Sequence, residues 1–192
     1  MPESDTTSTR SLLLEAAIRV WSDNPAATLD QIAESAGVKR VTLHRLVGTR
    51  EDLLKEVAIR SIREMDEACE RAVEGEQTAI GSLKAVVAAL VPVADRCRFL
   101  WTHSEVWDES SVEKETARQD KELSNLIDRA KAEGAIAADY PNAWIIASIN
   151  SIIFTALSTA RAGDIAVNDA GSLAVRTLFE GIESESPKRK RK

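Results

Sequence analysis

Apolar residues along the chain recur at intervals of three and four, and few stretches alternate at two, so the sequence predicts an almost entirely helical protein. Leu13, Ala16, Ala17, Val20 and Trp21 form one stripe, closed by Asp23-Asn24-Pro25. Thr28 can cap a short helix carrying Leu29, Ile32, Ala33 and Ala36, which Gly37 ends. Another short helix is expected over about 39–47, stopping at Gly48. Thr49 and Asp52 are spaced as a capping box opening a long helix through Leu53, Leu54, Val57, Ala58, Ile62, Met65 and Cys69. A helix over about 78–90 follows, and Pro92 kinks or restarts it towards Phe99, Leu100 and Trp101. A charged amphipathic helix over 112–133 turns Leu123, Leu126, Ile127 and Ala130 inward. Two more helices, about 142–161 and 167–182, complete an all-α chain of about nine helices.

Composition narrows the class. Hydrophobic residues make up 44% of the 192 residues and charged residues 29%, enough apolar material to fold a core and unlike a disordered chain. Two cysteines are too few for a disulfide framework, which points to a reducing compartment. The N-terminal segment MPESDTTSTR lacks the apolar core of a signal peptide. Residues 143–160 are interrupted by Ser148, Asn150, Ser151, Thr155, Ser158 and Thr159, and read as a buried helix or a helix–helix interface rather than a membrane span. A cytoplasmic protein is expected. The net charge of −6 would argue against a nucleic-acid partner if charge were uniform. It is not: residues 36–50 carry Lys39, Arg40, Arg45 and Arg50 and no acid, while the acidic excess lies in the longer helices. A local basic surface suffices for DNA when the acidic remainder points away.

That basic window coincides with two short helices meeting at Ala36-Gly37-Val38. Ala33 permits close approach, Gly37 can take a positive-φ turn, and Val38, Leu43 and Leu46 are spaced to pack the second helix on the first. The arrangement is a helix-turn-helix, whose second helix enters the major groove. Residues 9–60 resemble the DNA-binding domain of the TetR family of bacterial transcription regulators. The likeness rests on Ala16-Ala17, Trp21, Thr28, Ile32-Ala33, Ala36-Gly37-Val38, Thr42-Leu43 and Arg50-Glu51-Asp52-Leu53-Leu54. Two positions depart from the family pattern: His44 stands where Tyr is usual, and Leu46-Val47 replaces a common His-Phe pair. The resemblance implies that Arg40, Val41, Thr42 and Arg45 reach base edges, while Thr28, Lys39, His44 and Arg50 face phosphates. For Thr28 the alternative is a plain N-cap, for His44 a packing residue, and for Arg50 a solvated first-turn arginine.

The resemblance also implies three regions: a helix-turn-helix domain over 1–48, a ligand-binding and dimerisation domain over 49–183, and a disordered basic tail over 184–192. In that family the last two helices form a homodimer bundle, and the larger domain holds a small-molecule pocket. Met65, Phe99, Trp101, His103, Trp107, Trp144, Asn150 and Phe154 are the bulky or polar candidates for a pocket wall, with ordinary core as the competing reading. The expected function is a homodimeric repressor released from a pseudo-palindromic double-stranded DNA operator by a small-molecule effector. The alternatives are a ligand-independent DNA-binding protein, or a small helical enzyme or metal-binding protein using Glu105, Asp108, Glu109 and Glu113. No nucleophile motif, phosphate loop or metal-ligand spacing is present, so no catalytic residue, cofactor, resident metal or membrane partner is expected.

Overall fold

The computed structural model describes residues 3–106 and 110–181. Among these the elements are α1 (Glu3–Asp23), α2 (Leu29–Ser35), α3 (Arg40–Val47), α4 (Arg50–Val73), α5 (Ala79–Leu90), α6 (Ala94–Thr102), α7 (Ser110–Ala132), α8 (Asn142–Ala162) and α9 (Val167–Glu180), with no strand. Three-residue 3-10 turns at Val91–Val93 and Ser104–Val106 bracket α6. The first places Pro92 in its opening turn, where no amide N–H is needed, so the proline redirects the chain between α5 and α6. Trp107 and the acidic pair Asp108 and Glu109 lie outside the described residues, as does the basic tail.

Local chemistry fixes the short N-terminal helices. Thr28 accepts from the Gln31 amide at 3.4 Å, and the Gln31 side chain takes the Thr28 amide at 2.8 Å, a complete capping box. Gly37, at φ 67°, makes the turn that brings the Val38 amide 2.9 Å from the Ala33 carbonyl. Thr49 and Asp52 form a second reciprocal box, with the Thr49 amide 3.0 Å from the carboxylate. Asp is a shorter partner than Glu, and the geometry closes because Gly48 precedes it: a Cβ on Gly48 would stand 2.6 Å from Asp52 Oδ2. Hydrogen bonds from the Thr49 amide and hydroxyl hold the Asp52 carboxyl below its ordinary value.

Two hydrophobic cores result. The first gathers Leu13, Ile18 and Trp21 of α1, Ile32 of α2, Leu43 and Val47 of α3, and Leu53, Val57 and Ile62 of α4. It does not close at residue 48, because Phe99 and Leu100 of α6 and Val106 and Val112 beyond it belong to the same cluster. The second joins α5, α8 and α9 with Ile127 and Ala130 of α7. Met65 packs against both. Helix α8 is long and apolar enough to cross a membrane by length and composition, with a mean hydropathy of 1.6, yet only 22% of that stretch is buried. It therefore carries a broad face that the described residues do not cover.

Candidate nucleic-acid interface and ligand cavity

Helix α3 divides cleanly. Leu43 and Val47, four residues apart, are buried, and Leu46 packs half-buried beside them. That anchor leaves Val41, His44 and Arg45 pointing outward, with Val41 79% exposed. Arg40 is exposed at the helix start and Lys39 is its N-cap, without a side-chain cap bond. Thr42 is half-buried. The structure thus brings Lys39, Arg40, Val41, His44 and Arg45 onto one surface, an apolar methyl pair among cationic donors, suited to thymine methyls, guanine edges and phosphates.

Three details refine the expectations from sequence. Arg40 pairs with Asp30 of α2 at 3.0 Å, both side chains exposed, so a carboxylate sits beside the surface expected to meet phosphate. If α3 meets DNA, Asp30→Asn should therefore strengthen binding to any duplex several-fold and steepen its salt dependence slightly, as judged by fluorescence anisotropy across a salt series. His44 Nδ1 lies 3.4 Å from the Gly48 carbonyl, which leaves Nε2 as the outward atom. Arg50 is held within the protein. Its guanidinium donates to the Ala27 and Pro25 carbonyls, both at 2.7 Å, and lies 4.8 Å over the Trp21 ring. The side chain is occupied in tying α4 to the entrance of α2, which argues against the phosphate role. Thr28 is the N-cap of α2, as its competing reading held, with its hydroxyl at the surface.

The pocket candidates divide differently from the expectation. A cavity of about 300 Å³ opens between α4, α5, α7 and α8, and of the seven candidates among the described residues Met65 and Asn150 line it. Phe99 of α6 and His103, the residue that caps its C-terminus, turn instead towards α1. Their rings lie 4.7 Å apart and stack against Trp21 at 6.2 and 5.6 Å. His103 is buried, with Nδ1 3.1 Å from Glu105 Oε1. A carboxylate only accepts, so Nδ1 donates to it, and the buried Nε2 has no partner among the described residues. Burial would raise Glu105, but the His103 hydrogen bond and the nearby Arg50 charge outweigh it and hold the carboxyl below its ordinary value. Trp101, 51% exposed, leans on half-buried Phe154 at 5.0 Å, and Trp144 is 64% exposed in the first turn of α8. Bulk alone was the wrong guide, because on short α6 a shift of two residues moves a side chain to the opposite face.

The cavity wall is instead Met65, Cys69 and Val73 at four-residue spacing on α4, Val86 and Leu90 on α5, Leu123 and Leu126 on α7, and Ile146 with Asn150 on α8. Its polar lining is acidic: Asp66, Glu70, Asp120 and Glu122, with Gln119 and no basic side chain. Arg118, just outside, engages Asp66, Glu115 and Glu122. The i, i+4 stripe of α4 was present in the sequence, but nothing there said which of its faces met a void.

No protein-family model matches the chain. It is 29% identical over 137 residues to the HTH-type transcriptional repressor LfrR of Mycolicibacterium smegmatis, covering 71% of this chain and 70% of that protein. The solved structure of the TetR-like regulator LfrR from Mycobacterium smegmatis in complex with proflavine superposes with a TM-score of 0.70 at 24% identity, over 93% of this chain and 99% of the other. The ketosteroid transcriptional regulator KstR2 of Mycobacterium tuberculosis gives a TM-score of 0.74 at 16% identity, over 92% and 95%, a likeness of fold.

Proposed function

Because the chain is 29% identical to a transcriptional repressor and shares the fold of TetR-like regulators, we propose that it is a cytoplasmic homodimeric repressor of the TetR family, released from a pseudo-palindromic operator by a small cationic ligand. The observation that carries the reading is α3: an acid-free outward face mounted on the buried pair Leu43 and Val47. In this reading residues 1–48 supply the DNA-binding head and 49–183 the ligand and dimer region. Arg40, Val41, Thr42 and Arg45 read bases, and Lys39, His44 and Thr28 meet phosphates.

The dimer reading rests on α8 and α9. Trp144 and Val167 are exposed, and along α8 the hydroxyls of Ser148, Ser151, Thr155 and Thr159 each donate to the carbonyl four residues back. A helix with these four hydroxyl protons satisfied internally offers a second copy a surface with fewer donors to desolvate. The ligand class follows from the cavity, apolar in its walls and acidic in its charged lining, which favours a flat or amphipathic cation, as proflavine is in the LfrR complex. Release requires that ligand and operator prefer different placements of α4, the helix that lines the cavity and continues into the head.

Selection of bound duplexes from a random pool, followed by anisotropy with and without proflavine as the probe, tests the proposal. A two-fold-symmetric site whose affinity falls when the dye is added supports it; equal affinity with and without bound dye overturns the release mechanism. Arg45→Ala should cost about 1–3 kcal/mol at the selected site and little elsewhere. A uniform loss on all sequences would make Arg45 a phosphate contact.

A further inference from the structure

A cation already engages the carboxylates of the cavity wall: the guanidinium of Arg118. Of the four carboxylates in the lining it holds two, Asp66 on α4 through Nη2 and Glu122 on α7 through Nη1 at 3.0 Å. Its Nε donates to Glu115 at 3.0 Å, outside the lining. The Gln119 side chain donates to the other Asp66 oxygen at 2.7 Å, so both oxygens of that carboxylate are taken. Glu70 and Asp120 are exposed and have no hydrogen-bond or ion-pair partner among the described residues.

These carboxylates are not equivalent. The Asp66 side chain is 24% exposed, that of Glu122 62%. Opposite charges attract more strongly the less water surrounds them, so Asp66 is the stronger anchor for a cation entering an apolar cavity. Glu70 and Asp120, in contact with solvent, are screened.

We propose that Arg118 is a built-in counter-ion that a cationic ligand displaces from Asp66, so that a charged occupant of the cavity and the Arg118–Asp66 clasp exclude one another. The exchange rests on the cationic-ligand reading of the cavity. Arg118 gives up one carboxylate and keeps Glu115 and Glu122, both on its own helix, so its guanidinium stays paired. Asp66 trades one cation for another and is never left as a half-buried unpaired charge. The contact given up joins α7 to α4, whereas the pairs that remain are internal to α7. A charged ligand therefore loosens α4 from α7, and a neutral one of the same shape leaves the clasp closed.

The test is calorimetric titration of the full chain, without DNA, with proflavine and with phenazine, a neutral molecule of similar three-ring shape. Arg118→Ala should tighten proflavine about tenfold, within the usual range of coupling between two ligands, and leave phenazine unchanged. Asp66→Asn should weaken proflavine, and adding Arg118→Ala to it should then change little, since the anchor that Arg118 guards is gone. Lys121→Ala removes the same charge from the next turn of α7 and should leave proflavine nearly as in the wild type. Equal tightening by Lys121→Ala would reduce the effect to net charge and overturn the exchange. So would an equal gain for phenazine, or a gain from Arg118→Ala that persists without Asp66. Circular dichroism confirms that each variant is folded, and the Lys121 comparison decides if Asp66→Asn does not fold. Proflavine binding that ignores Arg118→Ala overturns the exchange and leaves the cationic-ligand reading standing. Proflavine bound by neither the wild type nor Arg118→Ala overturns both.

Discussion

Arg96→Ala should lower the unfolding free energy by about 3 kcal/mol, towards the lower end of what breaking a buried ion pair costs. Arg96, whose side chain is 13% exposed, is the hub between the N-terminal core and α6. Its Nε donates to Glu64 at 2.9 Å, Nη1 to Asp95 at 2.7 Å and Nη2 to Glu15 at 2.8 Å, joining α4, α6 and α1 through one guanidinium. Arg60 binds Glu64 from the other side at 2.7 Å. Without Arg96, the largely buried Asp95 and Glu64 lose their main counter-charge, while Glu15, 43% exposed, recovers water and limits the loss. Urea unfolding measures this, and a change below about 1 kcal/mol would place the cluster with ordinary surface pairs.

The same cluster sets an acid limb. Burial alone would raise the Glu64 carboxyl, but hydrogen bonds from Arg96 and Arg60 outweigh it and hold the group below its ordinary value of 4.5. A carboxyl depressed on folding contributes stability that is complete above its unfolded value and lost as pH falls through the folded one. The wild type should therefore lose stability from about pH 5 downwards. Arg96→Ala should show a shallower decline over that range.

Trp21→Ala should cost about 3–5 kcal/mol, the scale of emptying a fully buried aromatic site. The ring is wholly buried in the first core and touches Phe99 of α6 and His103 at its C-terminal cap, with Arg50 over its face. Its Nε1 donates to the Ala27 carbonyl at 3.0 Å. Trp21→Phe separates volume from hydrogen bonding. It keeps most of the ring contact, and the Ala27 carbonyl retains Arg50 at 2.7 Å, so about 1 kcal/mol should be lost. Calorimetry on the two variants distinguishes the terms, and equal losses would mean that the indole N–H, not the filled space, carries the effect.

The helices and the cationic outward face of α3 were legible in the sequence because both depend on local spacing. Thr28, Gly37 and Thr49 announce turns and caps within four residues of where they act, and the acid-free run from 36 to 50 is a property of consecutive residues. The cavity was not legible, because a void is made where α4, α5, α7 and α8 fail to touch. Phe99 and Trp101 illustrate the limit: two aromatics on one short helix, one fully buried against α1 and the other half open to solvent. Arg50 shows another, since its partners at Pro25 and Ala27 are brought near only when α4 docks beside the end of α1.

The first core also bears on how this protein could be re-engineered. Its N-terminal helices are not a detachable cassette, since Phe99, Leu100, Val106 and Val112 complete their interior from beyond α4. A chimera cut at residue 48 would leave Trp21 and its neighbours without half of their lining. Under the proposed function, re-addressing the protein to a new operator is better done by resurfacing. Exchanging only Arg40, Val41, His44 and Arg45 changes what α3 presents while every buried side chain stays in place.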